Sequence, residues 1–180
     1  MIAAIAAFTG WLGVSMIVLA DGRRGLAAGL AVSTAGLAAI AWRDGESVAA
    51  LIVLVGGAAA AFLRNRAGPR GWVVMPPGST PRLILCVAGG LVALWFAASV
   101  TLGPDGATRF AALSVIGLSG ARIVASREAS SVVTAVATLA LATAVATDLG
   151  AGSPSLLPYV AAAVIATGVL LLPVRVASAS

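Results

Sequence analysis

Apolar residues run along this chain in long unbroken blocks, separated by short stretches where arginine, glycine, proline and acids collect. Seven blocks stand out, at residues 2–20, 26–42, 48–63, 83–102, 110–125, 132–149 and 157–174. Each approaches the roughly 17–25 residues that a helix needs to cross a bilayer, the third and fifth being the shortest. None alternates with a period of two, and backbone groups in lipid must be bonded within their own segment. The pattern therefore predicts helices rather than barrel strands. The predicted fold is an all-α integral membrane bundle of about seven transmembrane helices, forming one domain over residues 1–180.

The polar breaks predict how the chain is threaded. The first positive charges, Arg23 and Arg24, follow the first block instead of preceding it, so that block reads as a spanning helix and not as a cleavable signal. The longest break, residues 64–82, holds Arg64, Arg66, Arg70 and Arg82 and no acid. Arginine beside a span resists translocation, which predicts a cytoplasmic connector, an N-terminus outside and a C-terminus inside. Alternation then places Arg23, Arg24, Arg64, Arg66, Arg70, Arg82, Arg122, Arg127 and Arg175 on one side with Asp21 and Glu128. The other side receives Arg43 and Arg109 with Asp44, Glu46, Asp105 and Asp148. A miscount by one span would largely destroy this segregation.

Composition agrees. The chain is 61% hydrophobic and 9% charged, whereas a soluble domain is about half apolar and about a quarter charged. Its net charge of +5 comes from eleven arginines against six acids, with no lysine and no histidine. The arginines stand between apolar blocks, so they read as topology determinants and not as a nucleic-acid surface. Cys86 is the single cysteine, which rules out an intramolecular disulfide and a paired-cysteine metal site. Without histidine, histidine-held haem and histidine-based zinc chemistry are excluded. The reading calls for no cofactor and no metal.

Candidate chemistry is sparse. All six acids fall at predicted helix ends or in loops, so a carboxylate relay within the bilayer is not predicted. The deepest charges are Arg122, about one turn from the end of its block, and Asp148; Arg122 reads as an arginine snorkelling to the surface. Thr134 and Thr138 share a helix face, where hydroxyls either line a polar path or bond the preceding turn's carbonyl. Arg23, Arg24, Arg64, Arg66, Arg70, Arg82 and Arg127 are candidate contacts for lipid headgroups or a cytoplasmic partner. No nucleophile elbow or phosphate-binding loop occurs in a competent context, so the chain is read as non-enzymatic.

Small residues recur at close spacing: Gly29 with Ser33, Gly56 with Gly57, Gly89 with Gly90, and Gly117 with Ser119 and Gly120. They predict tight helix packing, because in lipid the hydrophobic effect does not drive helices together. Trp42, Trp72 and Tyr159 fall near block ends, as interfacial aromatics do, while Trp11 and Trp95 lie inside blocks. An offset of 84 residues also aligns Asp21 with Asp105, Gly36 with Gly120, Arg43 with Arg127 and Ser47 with Ser131. That alignment suggests an inverted three-helix repeat of the kind found in transporters.

Several segments carry a family resemblance. Arg23–Arg24 after the first block, the Asp44-Gly45-Glu46 turn and the Ala-rich block ending at Leu63–Arg66 resemble the K subunit of complex I. The chain as a whole is similar in outline to hydrogenase-4 component E, with Leu118–Val133 (LSGARIVASREASSVV) at its helix, basic turn and next helix. Ala163–Val176 (AVIATGVLLLPVRV) resembles its terminal helix. The resemblance implies an accessory subunit of a multisubunit respiratory or membrane-bound hydrogenase complex in a bacterial inner membrane. Its partners would be larger, antiporter-like helical subunits, together with lipid. Such subunits carry carboxylates in mid-membrane, yet the corresponding places here are Thr34, Ala59 and Leu139, so the scaffold would be kept without the proton path. Two other readings fit the same residues: a small inverted-repeat transporter or lipid-handling protein, and an anchor for a peripheral protein docking on residues 64–82.

Overall fold

The computed structural model describes residues 1–67, 71–72, 75–99, 106–148 and 155–172, the Asp148 side chain excepted. Seven helices occupy them: α1 (Ile2–Leu19), α2 (Arg23–Arg43), α3 (Ser47–Arg66), α4 (Thr80–Ser99), α5 (Gly106–Ala125), α6 (Ala129–Asp148) and α7 (Leu157–Leu171). Six are long and apolar enough to cross a membrane. At 1.5 Å per residue, a 20-residue helix matches a hydrocarbon core of about 30 Å. The seventh has 15 described residues, about 22 Å of helix. Residues 173–180, which include the predicted end of that block at Val174, lie outside the described residues.

The helices extend further into the polar breaks than the hydropathy pattern predicts. The second begins at Arg23 instead of 26, the third continues through Arg66 instead of stopping at 63, and the fourth begins at Thr80 instead of 83. The connector therefore shrinks from 64–82 to 67–79, and Arg64, Arg66 and Arg82 are helical. Arginine is a good helix former, so a helix does not end where its apolar run ends. The tight α2–α3 turn works differently: Gly45 takes φ +94°, a conformation that side chains disfavour. At the end of the connector, the Met75 amide donates to the Leu19 carbonyl at 3.1 Å and ties the returning chain to the end of α1.

The bundle has two facing rows. Helices α1, α2 and α3 form one row and α5, α6 and α7 the other, with α1 against α5, α2 against α6, and α3 against α7. The remaining helix, α4, closes one flank against α1 and α5. An inverted repeat that related α1–α3 to α4–α6 would require α4 to rest on α2 as α1 rests on α5. No such contact forms among the described residues, so the packing does not display that symmetry.

The core is sewn by small residues. Along the α1–α2 crossing, Gly13 faces the backbone of Ser33, and Gly36 faces the backbone of Gly10. A Cβ at either glycine would overlap main-chain atoms, so only glycine lets these helices approach so closely. By contrast, α4 is the least buried of the long helices. Its buried positions are all small, Cys86, Gly90, Ala93 and Ala97, and Gly90 lies under the Trp11 ring. The Trp11 Nε1–H donates to the Cys86 carbonyl at 3.3 Å. Trp95 instead stays 65% exposed on the outer surface, beside Phe96. On α4 the large side chains thus point outward, where lipid accepts them at little cost.

Candidate functional site

Charge gathers most densely at the end of the bundle where α1, α3 and α5 finish and α2, α4 and α6 start. Its hub is Asp21, in the short link after α1. The Arg122 Nη2 donates to Asp21 Oδ1 at 2.5 Å, to the Ala20 carbonyl at 3.0 Å and to Ser131 Oγ at 3.0 Å. The Arg82 Nη1 donates to both Asp21 oxygens at 2.9 Å. One carboxylate therefore joins the ends of α1 and α5 to the starts of α4 and α6. The Arg122 side chain is 3% exposed and that of Asp21 22%. Burial opposes ionisation of Asp21, but the hydrogen bonds and positive charges of Arg122 and Arg82 outweigh it, so its carboxyl stays below the ordinary value of 3.8.

This geometry replaces the snorkelling expectation for Arg122. Arg122 is held at this depth by a carboxylate, a carbonyl and a hydroxyl through Nη2, while its Nε is buried without a partner. Asp21 and Ser131 were missing from the sequence-based candidates. The available signal was Asp21 itself, one of only two acids on a face predicted to carry nine arginines.

The other predicted arginines divide by depth. Arg64 is 2% exposed, and its Nε and Nη2 have no hydrogen-bond partner. Glu128 is the carboxylate close enough to act on it through space. Arg23 has a buried Nε that also lacks a partner. The Arg66 guanidinium stacks over the Phe62 ring, 4.2 Å from its centre. Arg24 and Arg127 are exposed. Arg70 and the Asp148 side chain lie outside the described residues, as does Asp105 from the proposed internal alignment.

Thr134 and Thr138 are fully buried. They donate to the carbonyls of Ser130 and Thr134, at 2.8 and 2.9 Å. Thr34, Thr143, Thr147 and Thr167 likewise bond carbonyls three or four residues back. These threonine hydroxyls are spent on their own helices, whereas the buried hydroxyls of Ser15, Ser33 and Ser119 have no hydrogen-bond partner. Among the described residues, concave regions open on the outside of the bundle. An apolar one, about 460 Å³, lies between α3 and α7 over Gly56, Ala59 and Ala163. A more polar one, about 500 Å³, lies between α2 and α3 at the arginine-rich end. Among the described residues no group of cysteine, aspartate and glutamate side chains could hold a metal ion.

At the opposite end, Arg43 donates through Nε and Nη2 to Asp44 Oδ1. Thr108 bridges the pair, donating to Asp44 Oδ2 at 3.1 Å and accepting from Arg43 Nη2 at 3.3 Å. This links the α2–α3 turn to the first turn of α5.

No protein-family model, curated protein or solved structure matches the chain. The fold and its charged ends define the class: a multi-pass helical membrane protein with six helices suited to spanning.

Proposed function

We propose that this chain is an accessory, non-enzymatic subunit of a larger membrane complex, set in a bacterial inner membrane with its arginine-rich end in the cytoplasm. The observation that carries this reading is how the hydroxyls are used. Those of Thr34, Thr134 and Thr138 are buried and returned to their own helices, which favours packing surface over a polar passage at these positions. The type of complex, related to complex I or to membrane-bound hydrogenases, rests on the sequence outline described above. In that setting the chain supplies a scaffold beside larger, antiporter-like helical subunits and moves no protons itself, since Thr34, Ala59 and Leu139 stand where such subunits carry acids.

Extraction of the tagged chain from its native membrane in a mild detergent, followed by gel filtration and identification of co-eluting polypeptides, tests this proposal. The expected result is a large particle containing other multi-helix subunits. Recovery as a lone monomer overturns it.

A further inference from the structure

The groove between α2 and α3 at the arginine-rich end combines three features. Its floor is apolar, made by the buried Ala27 and Ala61. Its rim carries Arg24 and Asn65, and Phe62 and Trp72 flank it. Arg24 is the second residue of α2 and Asn65 the last but one of α3, so the groove opens where helix ends meet the polar layer of a bilayer. Aromatic rings and a cation at that depth, above a floor of small apolar side chains, match the boundary between a lipid's headgroup and its chains.

The electrostatics choose the lipid. The Arg66 charge rests on Phe62 at the groove's edge. Behind it, on the inner face of the same α3 turn, Arg64 is 98% buried, with Nε and Nη2 unbonded. Those two nitrogens form the side of a guanidinium that ordinarily grips an oxyanion with two parallel hydrogen bonds. Asp21 is already engaged by Arg82 and Arg122, and Glu128 acts on Arg64 only at a distance. The last turn of α3 and the first of α2 therefore hold positive charge that no neighbouring carboxylate neutralises by contact among the described residues.

We propose that this groove seats an anionic phospholipid from the surrounding leaflet, its phosphate at Arg24 and Asn65 and the start of its chains along Ala27 and Ala61. The lipid's charge offsets the field of the buried Arg64 across the groove wall. Binding needs no displacement of Arg64, because a charge in a low-dielectric wall acts through several ångströms.

The test uses the full chain in nanodiscs of phosphatidylcholine alone or mixed with phosphatidylglycerol, either lipid carrying brominated chains that quench tryptophan. The Trp72 signal is taken as the difference between the natural protein and Trp72→Phe. Brominated phosphatidylglycerol is expected to quench Trp72 more than brominated phosphatidylcholine at equal content. Arg24→Gln, at an exposed position, should reduce that preference about fivefold, the contribution of one surface cation. A second measurement addresses Arg64. Arg64→Met should raise the Tm in phosphatidylcholine, where it removes an uncompensated buried charge, and the gain should shrink when phosphatidylglycerol is present. Equal quenching by the two lipids, a preference that survives Arg24→Gln, or the same Arg64→Met gain in both membranes overturns the proposal. Loss of the preference on adding free glycerol phosphate also overturns it, by giving the site to a soluble phosphate.

Discussion

The two ends of the bundle carry the same kind of cluster, an aspartate with arginine and a hydroxyl, in different solvents. At one end Asp21 meets Arg122, Arg82 and, through Arg122, Ser131, and Arg122 is almost wholly enclosed. At the other, Asp44 meets Arg43 and Thr108, with side chains 36% and 30% exposed for the ion pair. The bonding is alike, so the difference lies in what happens when a partner is lost. An enclosed arginine without its carboxylate keeps its desolvation cost, whereas an exposed one returns to water.

The largest expected effect follows at once. Asp21→Asn should lower stability by roughly 3 kcal/mol, the lower end of what breaking a buried ion pair costs, read from reversible unfolding in mixed micelles. A loss no greater than that of Asp44→Asn would erase the contrast between the ends. Next, Gly36→Ala should cost about 1–3 kcal/mol by forcing α1 and α2 apart, read from reversible unfolding in the same micelles. Acid gives a third effect with a defined sign. Because the folded-state pKa of Asp21 is depressed, its contribution is fully present above the ordinary value of 3.8 and is lost as pH falls through the lower, folded value. Thermal stability should therefore drop on the acid side of about pH 4, and Asp21→Asn should remove that part of the profile. Asp44→Asn should cost only about 0.2–1 kcal/mol, the range of exposed pairs. The smallest effect belongs to Gly120→Ala, where a Cβ meets open space; it should stay within about 0.5 kcal/mol of the natural protein.

That last pair also separates the two glycines matched by the 84-residue offset. Gly36 is pressed against the α1 backbone, whereas a Cβ at Gly120 would meet nothing within 4 Å. Equal costs at the two positions would revive the repeat; unequal costs would agree with the packing.

Much of the fold was legible because lipid imposes a simple rule: a block of apolar residues long enough to span becomes a helix. The helix ends were less legible, since Arg23, Arg64 and Arg82 look like loop residues by polarity yet are compatible with helical backbone. The cluster around Asp21 was hidden for a different reason. Asp21 and Arg122 stand 101 residues apart, and no local period connects them. Only the crossing of α1 over α5 brings them together. The glycine seam was half visible: spacing marked Gly29 and Ser33 as small, but not that Gly13 and Gly10 would face α2.

The seam has a bearing on the order of assembly. Three residues separate α1 from α2, and their contact needs nothing synthesised later, so this hairpin can close soon after its second limb enters the bilayer. Asp21 is fixed at its tip from then on, ahead of its first cation by 61 residues and of its second by 101. The carboxylate is thus made before either of its cations, and its two ion pairs can close only once α4 and α5 have followed it.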